Sequence, residues 1–180
     1  MRVKSVTDLL NIKKEAKEKL AKELSFSRKI PVLGIILDKE LSKETEENVC
    51  KFLDGVSSTD VKVILLADSN VEALSLPEVI VMPYSRDNRQ KLLVAADLAL
   101  AFSFSDVEEM LMNGIIPISG LRPEISDYDP THETGNSFVY KNETPWDIFA
   151  ALVRARETFK FPYDWKHIVR QGIDSICSES

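Results

Sequence analysis

LALAFSFSDVEEMLMNGIIPISG (residues 98–120) sets two short apolar runs on either side of a serine-rich turn and a short amphipathic segment. Apolar runs rich in branched side chains are typical of strands that are buried on both faces of a parallel sheet. Gly114 ends the amphipathic segment, as a glycine does just after a helix. The stretch therefore predicts a strand, a turn, a short helix and a second strand. Ligands bind beyond such strands, because the carboxyl ends of parallel strands open onto a crevice.

Further apolar runs on both sides of this stretch repeat the pattern of a buried strand. They are PVLGIILD (31–38), VKVILLA (61–67), EVIVM (78–82) and SFVY (137–140). With LALAF and IIPIS from the first stretch, they give about six strands separated mostly by helices, which predicts a parallel sheet with helices on both faces. The predicted fold class is therefore α/β and Rossmann-like.

Helix signals lie between these strands. Residues 7–24 have apolar side chains at helical spacing among many lysines and glutamates, which predicts an amphipathic first helix. Capping patterns predict further helices that begin at Ser42, at Asp87 with Gln90 three residues later, and at Thr144 with Pro145 and Asp147 behind it, and that end at Gly55 and at about Phe159. We divide the chain into an amphipathic helix or linker (1–28) and a Rossmann-like domain (29–180).

Composition and charge exclude several classes of protein. The chain has 180 residues, of which 44% are hydrophobic, and this suits one compact globular domain. Its 29 acidic and 23 basic side chains give a net charge of -6, so a nucleic-acid partner is not expected. No apolar run approaches the roughly 18 residues of a membrane span, and the start of the chain lacks the pattern of a secretory leader. We therefore expect a cytoplasmic protein without a membrane or nucleic-acid partner.

Motifs for common cofactors are missing from the sequence. Cys50 and Cys177 stand far apart without a second cysteine near either, so neither a disulfide framework nor a zinc motif is indicated. No Gly-x-Gly-x-x-Gly follows the first strand, and there is no P-loop. A binding site must therefore be sought in other residues.

The second half of the chain resembles a known family in four segments. These are AADLAL (95–100), NGIIPI (113–118), GLRPEISDYDP (120–130) and NSFVY (136–140), the last of which precedes an amphipathic helix. They are similar to the C-terminal domain of starch and glycogen synthases, which are retaining glycosyltransferases of the two-Rossmann-domain (GT-B) architecture. The resemblance covers most of the chain from residue 31 to about residue 174.

The resemblance implies a function for this domain. In the family it binds the nucleotide sugar, ADP-glucose or UDP-glucose, and a separate N-terminal domain binds the glucan acceptor. We expect that acceptor domain to lie outside this chain, as a partner. The implied reaction is glucosyl transfer to the 4-hydroxyl of a glucan with retained configuration. No metal and no other cofactor is implied, because basic side chains and helix ends balance the charge in this architecture.

The first functional position of the family is a Gly-x-x-Gly-Arg-Leu-x-x-x-Lys-Gly pattern after the first strand, whose arginine and lysine bind the diphosphate. When the pattern is aligned from Gly34, Asp38 replaces the arginine, whereas the lysine is kept as Lys43. The resemblance thus assigns Lys43 to the phosphates. A carboxylate at position 38 repels a diphosphate, whereas an arginine binds it through two charge-assisted hydrogen bonds.

The second functional position is the turn after the fourth strand, which in the family contains a glutamate that reaches the donor sugar. Here the turn is several residues shorter and reads SFSD (103–106), so that acid is missing. Glu109 matches the position of a ribose-binding glutamate in the wider superfamily. The family's Thr-Gly-Gly-Leu loop is replaced by Ile118 followed by Ser119, Gly120 and Leu121, which the resemblance assigns to the distal phosphate or the sugar. No catalytic residue and no metal ligand is assigned.

Several of these residues also have a purely structural interpretation. Glu108 and Glu109 begin a short helix, where acidic side chains favour the positive end of the helix dipole. Lys43 lies among other lysines and glutamates, as a solvated lysine does. His132 is interpreted as a surface residue and His167 as part of an amphipathic helix.

Three functional hypotheses follow. The first is a nucleotide-sugar-binding half of a starch or glycogen synthase-like glycosyltransferase with a degenerate site, which is not catalytic alone. The alternative is a non-catalytic scaffold, or a module that binds a partner domain or glucan and has kept the fold. The third is an unrelated Rossmann-like enzyme such as an epimerase, which the missing glycine-rich fingerprint argues against.

Overall fold

The computed structural model describes residues 5–67 and 78–178, so the ends of the predicted segments 1–28 and 29–180 lie outside the described residues. The strands are β1 Val32–Ile36, β2 Lys62–Ala67, β3 Val79–Pro83, β4 Leu98–Leu100, β5 Ile116–Gly120 and β6 Phe138–Tyr140. The helices are α1 Val6–Glu23, α2 Lys43–Val56, α3 Arg86–Ala95, α4 Val107–Met112, α5 Pro145–Phe159 and α6 Pro162–Ser178.

The strands form one sheet in the order β3-β2-β1-β4-β5-β6. Every pair of neighbours is parallel, and at the centre Gly34 of β1 is in register with Ala99 of β4. The predicted α/β, Rossmann-like class is confirmed. From β1 the chain runs outwards to β3 on one side and then returns to β4 on the other. The switch point of the topology therefore lies between β1 and β4, where ligands bind in open α/β sheets.

Alternate strand residues face opposite sides of the sheet, and each side has its own core. Leu33 and Leu65 belong to the core beneath α2, α5 and α6, which Phe52 of α2 and Leu152 of α5 complete. Their neighbours Val32, Ile64 and Leu66 belong to the core beneath α3 and α4, together with Leu92, Leu93, Val107 and Leu111. Burial on both faces explains why β1, β2, β4 and β5 are almost continuously apolar.

Helix α1 is fixed to the sheet domain by two buried lysines. The Lys17 Nζ donates to Asp97 Oδ2 at 2.6 Å, and the Lys13 Nζ donates to the carbonyl of Ala96 at 2.7 Å. The same Asp97 oxygen accepts from the backbone N–H of Val32 at 2.8 Å. Residues 6–23 therefore pack where β1 and β4 begin, while the division of the chain at residue 28 stays a prediction.

The helix caps test the sequence patterns directly. The hydroxyls of Ser42 and Thr144 accept from the backbone N–H three residues ahead, as predicted. The predicted start of α3 at Asp87 is wrong, because the Ser85 hydroxyl accepts from the Asn88 N–H at 3.1 Å and the helix begins at Arg86. The predicted end of α2 at Gly55 is also wrong, since the helix continues through Val56.

Candidate functional site

The candidate site lies at the carboxyl ends of β1 and β4, which we call the carboxyl edge of the sheet. The loop after β1 (37–42) and the turn after β4 (101–106) meet there. The Lys39 ammonium lies 5.7 Å from the centroid of the Phe104 ring, a cation–π contact that joins the two loops. The crevice expected at the switch point is therefore bordered by both segments.

The turn after β4 is closed on itself. The backbone N–H of Phe102 donates to the Ser105 hydroxyl at 2.9 Å, and the Asp106 carboxylate accepts from the Glu109 N–H at 2.9 Å as the cap of α4. Arg122 adds a link from beyond β5, because its Nη1 donates to the carbonyls of Phe102 and Ser105, both at 3.1 Å. Asp106, the acid of the SFSD turn, is thus used as a helix cap.

Glu109 forms a two-bonded ion pair with Arg89 of α3. The Arg89 Nη1 donates to Glu109 Oε1 at 3.0 Å, and its Nη2 donates to Oε2. These hydrogen bonds are the main cause that raises the pKa of Arg89, and the negative charge of Asp38 adds to it. Asp38 therefore lies within electrostatic reach of a guanidinium that partly offsets its charge. The carboxylate of Glu109 keeps further lone pairs with which it can accept from a ligand hydroxyl.

Arg89 is a site residue that the sequence reasoning missed. It lies in α3, which begins directly beyond the carboxyl end of β3, at the same edge of the sheet as the crevice. The signal for it is an arginine near the start of a helix that follows a parallel strand. Its partner, however, is twenty residues away along the chain, and no local pattern links the two.

Lys43 is the first residue of α2 and is exposed. The helix start is capped by Ser42, whose hydroxyl accepts from the Thr45 N–H at 3.1 Å. The Lys43 ammonium makes no hydrogen bond or ion pair with any residue of 5–67 or 78–178. It is therefore a cation at the positive end of a helix dipole with its donors open to solvent.

Ser119 and Gly120 end β5 and Leu121 follows it, and the three residues become more exposed along the chain. Ser119 is 2% exposed and lies in the paired strand, whereas Leu121 is 82% exposed. Gly120 is beside the Tyr140 ring, and burial raises the pKa of this tyrosine while a hydrogen bond from the Gly120 backbone acts in the opposite direction. The side chain of Ser119 is thus enclosed, and the accessible part of the segment begins at Gly120.

The fold brings the predicted residues to one edge without direct contact among them. Lys43 follows β1, Glu109 follows β4, Ser119 and Gly120 end β5 with Leu121 after them, and these three strands are neighbours in the sheet. With strands spaced by ~4.8 Å, the carboxyl ends of the three strands extend over about 10 Å of the edge. An extended small ligand has about this length. Groups at separate points along the edge can therefore each contact a different part of such a ligand.

Across 5–67 and 78–178, no group of three or more histidine, cysteine, aspartate or glutamate side chains is placed to hold a metal ion. Within the same ranges, no helix has the length and apolar composition needed to cross a bilayer.

Glycogen synthases are among the known proteins that this chain is similar to in sequence. No family model matches the chain. It is 26% identical to glycogen synthase 1 of Synechocystis in an alignment that covers 95% of this chain and 41% of that protein. It is 27% identical to the glycogen synthase of Gloeobacter violaceus over 54% of this chain, and 34% identical to that of Trichodesmium erythraeum over 33% of it. The chain thus spans less than half the length of these relatives.

Solved structures of glycosyltransferases have a similar fold over about half of their length. A glycosyltransferase from Rickettsia africae superposes with a TM-score of 0.69 at 12% identity, over 96% of this chain and 49% of that one. Anabaena HepE, solved in complex with UDP and glucose, gives 0.67 at 13% identity over 91% and 48%. Sucrose-phosphate synthase from Thermosynechococcus elongatus gives 0.62 at 12% over 89% and 44%. The chain therefore has the Rossmann-like fold of one half of a GT-B glycosyltransferase and resembles the glycogen synthases in sequence.

Proposed function

We propose that this chain is the nucleotide-sugar-binding half of a starch or glycogen synthase-like glycosyltransferase, and that it is not catalytic alone. The observation that carries the proposal is the switch point between β1 and β4, with Lys43 and Glu109 on either side of it, in a chain similar to glycogen synthases. The structure of HepE with UDP and glucose supports a donor of that chemical class. The proposal places the protein in the cytoplasm.

The diphosphate of the donor is assigned to Lys43. Its ammonium is exposed, has no described partner and lies at the start of α2, a helix of 14 residues. A helix N-terminus offers backbone N–H groups and a positive partial charge to phosphate oxygens. Lys39 adds positive charge at the same edge, and Arg89, although paired with Glu109, partly offsets the charge of Asp38. Lys43 and Lys39 are therefore the cations that would bind the diphosphate without the arginine of the family pattern.

The ribose of the donor is assigned to Glu109. Arg89 donates to both of its oxygens, so the carboxylate is fixed in direction before a ligand arrives. Carboxylate oxygens have about four acceptor sites, of which Arg89 uses two. The others can accept from the two hydroxyls of a ribose. The distal phosphate or the sugar is assigned to Ser119, Gly120 and Leu121, with contact through the backbone beyond Ser119 because its side chain is enclosed.

This chain lacks two of the side chains that the family uses for glucosyl transfer. Asp38 replaces a cation at the diphosphate, and Asp106, the acid of the shortened turn, caps α4. A single preorganised group contributes about 3 to 4 kcal/mol to the stabilisation of a transition state, so the loss of two slows glucosyl transfer by several orders of magnitude. The acceptor domain that binds the glucan is therefore assigned to a partner. This chain is not expected to catalyse glucosyl transfer without it.

A second candidate function has its own observation. Leu121 is 82% exposed and Trp146, at the start of α5, is 77% exposed, and both lie at the carboxyl edge beyond the neighbouring strands β5 and β6. Large apolar side chains exposed together are found at interaction sites. They favour a scaffold or a module that binds a partner domain or glucan at this edge, in which no nucleotide is bound.

The experiment is a calorimetric titration of the chain with ADP, UDP and ADP-glucose. We expect micromolar binding of one nucleotide, and we expect the Lys43→Ala, Glu109→Ala double variant to lose it. Lys51→Ala with Glu108→Ala is the matched control, because it changes the same charges on the same two helices at exposed positions. No binding at millimolar nucleotide overturns the donor site and leaves the second candidate.

A further inference from the structure

A basic cavity lies at the other end of the strands, beside the start of β1. Its volume is about 220 Å³, and it is lined by Lys14, Lys17 and Glu18 of α1 and by Arg28 and Lys29 of the segment before β1. The lining thus has four cationic side chains and one acidic side chain, in a chain whose net charge is -6. The cavity is therefore lined mainly by positive charge, although the whole chain is negatively charged.

The positive charge of the basic cavity is only partly neutralised. Lys17 is paired with Asp97, and Arg28 is paired with Glu18. Lys14 and Lys29 are both exposed, and neither ammonium has a hydrogen bond or ion pair within the described part of the chain. Two lysine charges therefore remain over a cavity whose single carboxylate, that of Glu18, is already paired with Arg28.

The fold holds these cations in place. The Lys17 side chain is 8% exposed, and its Nζ lies 2.6 Å from Asp97 Oδ2 and 4.8 Å from the centroid of the Phe159 ring. After α1 the chain turns back through Ser25, which has a φ of 57°, and this turn returns Arg28 to α1, where it contacts Glu18. The lining is therefore built by the packing of α1 and by its C-terminal turn, and folding holds like charges near each other.

We propose that the basic cavity binds a small anion that carries a phosphate group. Lysine ammonium groups bind phosphate as point charges, and the guanidinium of Arg28 has further N–H donors beyond those that contact Glu18. The volume is below the 300–1,000 Å³ that is usual for sites of larger organic ligands, which favours inorganic phosphate or a short phosphorylated compound over a nucleotide. The cavity lies at the opposite end of β1 from Lys43, so this inference does not depend on the proposed donor site.

The test is a calorimetric titration with inorganic phosphate as the probe, with ionic strength held constant by sodium chloride. We expect saturable binding with a Kd at or below about 1 mM. The Lys14→Ala, Lys29→Ala double variant is expected to weaken it at least tenfold, since hydrogen bonds between charged groups are the strong ones. Lys19→Ala with Lys22→Ala is the matched control: it removes the same charge from exposed positions outside the lining, and is expected to bind as the wild type does.

A variant that binds phosphate more tightly provides a second test, because a folding defect cannot produce a gain of affinity. Glu18→Gln removes the one acid of the lining and frees the Arg28 guanidinium, so it is expected to bind phosphate more tightly than the wild type. The proposal is overturned by a response that does not saturate, by equal losses in the two lysine double variants, or by no gain in Glu18→Gln.

Discussion

The guanidinium of Arg89 binds both carboxylate oxygens of Glu109 and thereby ties α3 to α4 at the carboxyl edge of the sheet. Both side chains are about one-third exposed, at 29% and 34%. An ion pair with that exposure contributes at most about 1 kcal/mol to stability. Its main effect is to fix the direction of the carboxylate that we assign to the ribose.

The first prediction separates these two effects. Arg89→Gln is expected to lower the free energy of unfolding by less than about 1 kcal/mol, while it weakens nucleotide binding several-fold because Glu109 loses its fixed orientation. Urea unfolding and calorimetry with ADP or UDP measure the two quantities. Arg86→Gln, a change of the same kind three residues earlier in α3, is the control. Equal nucleotide affinity in both variants would remove Arg89 from the site.

The sequence predicts those parts of the fold whose causes are local. Thr144 with Pro145 marks the start of α5 because a capping hydroxyl and a fixed φ act within one turn. The apolar runs predict the central strands because burial on both faces leaves few polar positions there. Local patterns do not identify Ser85 as the cap of α3, because Asp87 followed by Gln90 resembles a helix start equally well.

Contacts between distant residues are not predictable in this way. Lys17 and Asp97 are 80 residues apart, and Arg89 and Glu109 are on different helices. Their pairing depends on how the helices pack on the sheet, which periodicity does not encode. The candidate site could therefore be placed at one edge of the sheet from the sequence, while the partner of Glu109 could not.

The second prediction concerns the buried pair of Lys17 and Asp97, whose side chains are 8% and 12% exposed. Asp97→Asn leaves the Lys17 charge without its partner in a buried position, which is expected to cost about 3 to 5 kcal/mol of unfolding free energy. Chemical denaturation measures it. Glu23→Gln is the control, because it breaks the half-exposed pair with Lys91 and is expected to cost no more than about 1 kcal/mol. Similar losses in both variants would contradict the burial of Asp97.

The third prediction concerns pH. Burial lowers the pKa of Lys13 from 10.5 to about 8. Between these two values the unfolded chain binds more protons than the folded one, so the contribution of Lys13 to stability rises with pH across this window. The cost of the buried charge is fully present below pH 8 and is lost as the pH approaches 10.5.

The measurement for Lys13 is the difference in unfolding free energy between the wild type and Lys13→Met, from pH 7 to about pH 10.5. The wild type is expected to gain on the variant by up to about 3 kcal/mol over this range, because one unit of pKa corresponds to about 1.4 kcal/mol. Groups other than Lys13 titrate in both proteins and cancel in the difference. A difference that stays flat with pH would show that Lys13 is not buried as a charged group.

The last prediction compares two glycines in the segment around β5 and β6. Gly135 has a φ of 102°, and a Cβ there would lie 2.3 Å from the backbone oxygen of Asp127, so Gly135→Ala forces the backbone to move. Gly120 is at the candidate site, and its Cβ would be in ordinary contact with Tyr140 at 3.5 Å. Gly135→Ala is expected to cost at least about 2 kcal/mol of unfolding free energy, and Gly120→Ala less than about 1 kcal/mol.

The pair of glycine variants also tests the site. Since Gly120→Ala adds a methyl group where the accessible part of the segment begins, it is expected to weaken ADP-glucose more than ADP if this segment contacts the sugar. Gly135→Ala lies outside the site and is expected to change both affinities alike, in proportion to any unfolded fraction. Equal loss of ADP and ADP-glucose in Gly120→Ala would place the sugar elsewhere, because only the part of the donor beyond the nucleotide differs between the two ligands.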